Sequence, residues 1–252
     1  MSRPTADPPA LVRDDEVFER MSRTDRWRHM ALFLSFAVLA LTGFPPLARE
    51  IGLVRLVFGS GGGPAWRGVV HRAAAAVFIV DIVWYLLPLF LTARGRRERR
   101  ARSLGVRDLK DAAAFFDPRS RPPEFGRYGF AEKLDFWAVL GGAAVMIVTG
   151  LLMWFPDLSL RLFPLRIHRV FVVIHGYEAV LAVVAVLIGH MYAAHFRPGV
   201  FPMSRVWLDG KIAGADLRRF HPLEYRDILE ERERGGASAA TAGPEKSIMK
   251  GE

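Results

Sequence analysis

Apolar and polar positions do not alternate along this chain; they segregate into long blocks. RHMALFLSFAVLALTGFPPL runs from about residue 28 to 47 and VVHRAAAAVFIVDIVWYLLPLFLT from about 69 to 92. LDFWAVLGGAAVMIVTGLLMWF runs from about 134 to 155, and a fourth block from about 167 to 196 ends VVIHGYEAVLAVVAVLIGHMYAAHF. Each can cross a hydrocarbon core of ~30 Å, which takes ~20 helical residues. Only self-satisfied backbone survives there, so the pattern predicts an all-α integral membrane protein, a bundle of four transmembrane helices. Pro45-Pro46 and Pro156 stop the first and third spans, as proline does at helix ends.

The ends of the chain are different in kind. Residues 1–24 mix both charge signs with prolines and lack the charged start, short apolar run and small-residue cleavage site of a signal peptide. They are expected to form a cytoplasmic arm followed by an interfacial helix. Residues 25–228 then make up the membrane domain, and the polar, small-residue-rich stretch 229–252 is expected to be a disordered cytoplasmic tail.

Charge fixes the orientation. Between Thr92 and Lys133 there are twelve Lys/Arg, against three (Arg49, Arg55, Arg67) after the first span and two (Arg161, Arg166) after the third. The positive-inside rule puts the long basic connection, and with it both termini, in the cytoplasm. The net charge of +9 does not indicate nucleic acid, because no basic stretch is interleaved with aromatics. The chain has no cysteine, which excludes disulfides, thiolate-held clusters and covalently attached c-type haem.

The candidate chemistry lies in the seven histidines. Imidazole is costly in an apolar medium unless its nitrogens are engaged. On the predicted topology His29 starts span one on the cytoplasmic side and His71 starts span two on the outer side. Span four carries His175 near the outer face and His190 near the inner face. Fifteen residues of ideal α-helix rise about 22 Å and leave a net rotation of about 60°, so both face broadly the same interior. That gives one pair per membrane face, His71 with His175 and His29 with His190. Two haems, each held by two imidazoles from facing helices, fit this pattern. The competing reading makes each histidine an interfacial residue; four of them matched in depth on three helices speak against it. His168 and His221 read as surface and structural residues. His195, one turn below His190, sits at the inner interface, where it either lines a quinone pocket or simply meets the boundary. An internal echo accompanies the pairs: Thr42-Gly43 ends span one and Thr149-Gly150 ends span three.

With RWRHM and LTGF in span one, VVHR in span two, EKLDFW and VTGLLMWFP in span three, and IHGYEAV and GHMYAAHF in span four, the chain resembles the di-haem cytochrome b subunits of bacterial respiratory enzymes. The formate dehydrogenase gamma subunit is the nearest group, beside the nickel–iron hydrogenase and thiosulfate-reductase-type cytochromes b. The resemblance covers roughly residues 24–228 and includes PMSRVWLDGKI and FHPLEY after span four. It implies two b-type haems in the bacterial inner membrane, the outer one on His71 and His175 and the inner one on His29 and His190. It also implies electron transfer between an outer-face iron–sulfur or multihaem redox subunit and the quinone pool, at a quinone site near the inner haem. The family's quinone stretch is altered here: Gly129 stands where an Asn is usual and Glu132 where a Gln is usual, so Gly129, Glu132 and His195 are candidate quinone contacts rather than transferred ones.

Asp81 and Glu178 are intramembrane acids and hence functional candidates. Arg28, Arg67, Arg72 and Arg197 flank the histidines where haem propionates would emerge. The alternative class is a haem-free membrane anchor or proton-coupled carrier. A zinc protease is disfavoured, since no HExxH occurs.

Overall fold

The computed structural model describes residues 12–45, 52, 65–117, 119 and 123–241. It is mostly helical. A short strand β1 (Val17–Glu19) precedes α1 (Arg23–Gly43), α2 (Ala65–Leu91), α3 (Ala93–Ala101) and α4 (Val106–Phe116). Then come α5 (Phe130–Trp154), α6 (Pro156–Leu162) and α7 (Leu165–Val184), which continues through two π-helical turns, Ala185–His190 and Tyr192–Phe196. α8 (Val206–Asp209), β2 (Lys211–Ala213), α9 (Gly214–Phe220) and α10 (Pro222–Thr241) complete the order.

These elements form two compact units. The larger comprises Met21–Ser103 and Ala131–Gly210. Its helix ends follow from local chemistry. Ser22 caps α1, its hydroxyl accepting from the Asp25 N–H at 3.2 Å, and this cap starts the helix five residues earlier than the apolar block alone suggests. Pro156 opens α6, directly after α5 has ended at Trp154, and α7 begins after Pro164. Gly95, in the first turn of α3, lies against the backbone of Pro88 and Leu89, where any Cβ would collide.

The burial pattern of this unit is inverted relative to a soluble protein. Its buried residues include Ser35, Thr42, Asp81, Thr149 and Ser159, while Trp66, Trp84, Leu87, Leu91, Leu187 and Ile188 are each more than half exposed. Apolar surface on that scale needs an apolar surrounding. Three helices are long and apolar enough to cross a membrane, Trp66–Leu91, Phe130–Trp154 and Leu165–Phe196. α1 is not among them. Arg23, Asp25, Arg26 and Arg28 occupy its first two turns, leaving only residues 30–43 apolar within the helix; residues 46 and 47, in the predicted span, fall outside the described residues.

The π-helical turns correct one expectation. The Met191 N–H bonds the Val186 carbonyl and the Arg197 N–H the Tyr192 carbonyl at 2.9 Å, both i→i−5. Each such turn takes one more residue than an α turn. The phase of everything beyond Val184 is therefore retarded, and the rotation of about 60° between His175 and His190 expected from ideal α geometry does not apply.

The smaller unit comprises the described parts of Met1–Arg20, Leu104–Phe130 and Lys211–Glu252. It adds a short two-stranded ribbon to the helices, formed in part by the segment before α1. β1 pairs antiparallel with β2 in the register Val17 to Ala213, Phe18 to Ile212 and Glu19 to Lys211. Arg20 bonds Glu224 at 2.6 Å, and Arg232 of α10 pairs with Glu16 and lies over the Phe18 ring. The Arg232 guanidinium holds the Glu16 carboxyl below the usual carboxylate range, so this tie is lost as pH falls through that lowered value. α10 extends to Thr241, well into the stretch from 229 that composition marks as disordered; residues 1–11 and 242–252 lie outside the described residues. His221 is buried, and its Nδ1 is 2.8 Å from the Gly126 carbonyl, a structural role.

Candidate haem-ligand histidines

The Thr-Gly echo has a physical meaning. Thr42 Oγ1 donates to the Val38 carbonyl at 2.6 Å, and Thr149 Oγ1 donates to the Val145 carbonyl at 2.7 Å. With that proton committed, each hydroxyl accepts from an imidazole on the next long helix: His71 Nδ1 at 2.8 Å and His175 Nδ1 at 2.9 Å. Both rings are thereby set with the proton on Nδ1, assigned from the partners, which leaves the Nε2 lone pair available to a metal. The glycine that follows each threonine makes room for the ring. A Cβ on Gly43 would lie 3.3 Å from His71 Cε1, and one on Gly150 would lie 3.1 Å from His175 Cε1.

At the other end of the same unit His29 and His190 face each other with ring centroids 6.2 Å apart and planes inclined by 36°. Two imidazoles bound trans to one metal, at ~2.0 Å per metal–nitrogen bond, put their centroids about 6 Å apart. His190 Nδ1 lies 2.9 Å from Asp135 Oδ2, so its Nδ1–H donates to the carboxylate and Nε2 is again free. His29 Nδ1 is buried and has no hydrogen-bond partner among the described residues.

The remaining candidates divide. The His195 Nδ1 is buried without a partner among the described residues, and its ring stands perpendicular to Trp207 at 6.4 Å. Trp207 Nε1 is likewise buried and unpartnered among the described residues. His190 and His195 are five apart, a spacing that π geometry stacks on one face and α geometry does not. Glu132 is exposed at the start of α5, and Gly129 belongs to the smaller unit, buried against the Phe125 ring. His168, expected at the surface, is half-buried and bonds the fully buried Ser159 at 2.9 Å, pinning α6 to α7. Glu178 lies against Gly142. Asp81 is buried, with Oδ1 3.8 Å from the Arg28 Nε, and the Arg28 guanidinium also covers the Tyr85 ring at 4.7 Å. Arg67 donates to the Thr42 carbonyl at 2.6 Å and Arg72 lies over Trp154 at 6.0 Å.

Sequence reasoning named the histidines but not the groups that aim them. Thr42 and Thr149 were visible only as an echo, and Asp135 is a carboxylate inside an apolar block, which is itself the signal. Among the described residues no cluster of three or more His, Asp or Glu could hold a bare metal ion. A metal that brings four ligands in a macrocycle needs only the two imidazoles present at each pair.

The chain is similar to known cytochrome b subunits. The chain is 30% identical over 105 residues to the cytochrome b556(Fdn) subunit of the nitrate-inducible formate dehydrogenase of Escherichia coli K12, covering 42% of this chain and 46% of that protein. It is 28% identical over 109 residues to the cytochrome b556(fdo) subunit of an E. coli formate dehydrogenase, covering 43% and 49%. It is 25% identical over 129 residues to the formate dehydrogenase cytochrome b556 subunit of Haemophilus influenzae, covering 50% and 52%. The chain thus spans about half the length of the curated relatives it matches. Residues 20–203 match the model of the prokaryotic cytochrome b561 family, and the chain belongs to that family.

Proposed function

We propose that this protein is a di-haem b membrane subunit of a respiratory oxidoreductase. It would carry electrons between a redox partner on the outer face, an iron–sulfur or multihaem subunit, and a quinone near the cytoplasmic face. The observation that carries the reading is the presence of two histidine pairs in one helical unit, both served by the helix from Leu165 to Phe196. One pair has its ring centroids 6.2 Å apart; the other has both Nδ1 atoms committed to threonine hydroxyls. A b-type haem is the cofactor the family implies, and when bound it would supply a one-electron carrier. His71 and His175 would hold the outer haem, and His29 and His190 the inner one.

The bundle would have four spans, with α1 as the first, and the basic connection between α2 and α5 would face the cytoplasm. At that face His195, with a buried Nδ1 that lacks an acceptor among the described residues, is suited to donate a hydrogen bond to a quinone oxygen. Glu132 and Gly129 remain candidate contacts on the stretch leading into α5.

The test is direct electron transfer. Purified protein reduced with dithionite and mixed with a short-chain menaquinone analogue is expected to show its reduced b-haem band decay. His195→Ala should slow that decay roughly five- to tenfold, the worth of one hydrogen bond of about 1–1.5 kcal/mol. Haem that stays reduced in the presence of quinone contradicts the proposal.

A further inference from the structure

The four ligand-candidate histidines are not engaged alike. His71 and His175 each give their Nδ1 proton to a neutral hydroxyl. His29 has no Nδ1 partner among the described residues. His190 alone of the four gives its proton to a carboxylate, Asp135 Oδ2, at 2.9 Å. Asp135 sits in the second turn of α5, so its position is fixed by a long helix and not by a loop.

A carboxylate acceptor does more than orient the ring. It draws the Nδ1 proton toward itself, makes the imidazole a stronger donor through Nε2, and favours the more highly charged, oxidised metal. A threonine hydroxyl that already donates elsewhere does this weakly. We infer that Asp135 is a positioning residue that acts through His190 and makes the two haems electronically unequal. It holds the haem on His29 and His190 at a lower potential than a neutral acceptor would. This rests on the reading of those histidines as axial ligands.

The sequence surroundings accord with such a role. Asp135 in LDFWAVLGG stands at the head of an apolar span, where an ionised group is costly without a partner.

Redox potentiometry followed at the haem bands tests the inference. In Asp135→Asn, which keeps the side-chain shape, the midpoint of one haem should rise while the other stays fixed. In Asp135→Leu the same haem should rise further, by about a tenfold change in its oxidised-to-reduced ratio at fixed potential, or ~59 mV for one electron. The haem that moves should be the one lost in His190→Ala, and its ferric electron-paramagnetic-resonance g-values should shift with it. Where Asp135→Leu assembles poorly, the isosteric Asn variant decides. Unmoved midpoints in a variant that keeps both haems overturn the inference. A moved midpoint with unchanged g-values also overturns it, since a charge acting only through space leaves the axial ligand as it was. If His190→Ala retains both haems, the ligand reading fails instead, which separates the two outcomes.

Discussion

Replacing His190 by alanine is expected to lower the haem content from two b haems per chain to one, and replacing His29 should remove the same spectral component. His71→Ala and His175→Ala should each remove the other component and leave the first in place. The size of the effect follows from the donor set. Each pair offers two imidazoles, so removing one leaves a haem with a single protein ligand. The two partners are also on different helices, His71 on α2 and His175 on α7, so neither can slide to cover for the other. His168→Ala and His221→Ala should keep both haems, because these residues bond Ser159 and the Gly126 carbonyl respectively. Four variants that lose haem in two matched pairs cannot be explained by interfacial histidines. A set in which all four lose both haems equally contradicts the pairing and points to general misassembly.

The second large effect concerns stability. Arg28 and Asp81 are only 14% and 10% exposed at the side chain, and their nearest charged atoms are 3.8 Å apart. Arg28→Met leaves a buried carboxylate without its counter-charge, at an expected cost of about 3–5 kcal/mol, whereas removing both charges together is commonly close to neutral. Thermal unfolding in detergent should therefore show Arg28→Met strongly destabilised and Arg28→Met/Asp81→Leu largely restored. Tyr85 gains nothing from the restoration, since its ring loses the cation above it, so recovery is expected to stop short of the parent protein by about 0.5–2 kcal/mol. A double variant as unstable as the single one contradicts the ion-pair account.

Much of the large helical unit is legible in sequence because its signal is local. Block length and the prolines at 45 and 156 each act within one segment. The histidines are legible for the same reason, since polar groups stand out against Val, Ala and Leu. What sequence does not display is who meets whom. Asp135 and His190 are 55 positions apart, and no period in the chain links them. The Thr42–His71 and Thr149–His175 bonds span 29 and 26 positions, and only the repetition of Thr-Gly hints that both serve one purpose. The β1–β2 ribbon is three residues per strand, too short for an alternating pattern, and its partners come from opposite ends of the described chain. The π-helical turns lie in AVLIGHMYAAHF, which composition alone presents as a plain apolar helix. Their consequence is large all the same, because the altered phase brings His195 onto the face of His190.

One measurement bears most directly on the whole account: pyridine haemochrome quantitation against protein mass for the purified, folded chain. Two b haems per chain is the expected value, one for each histidine pair. A folded preparation free of b haem contradicts the account, and a value of one removes either the Thr-bonded pair or the pair of His29 and His190 from the reading.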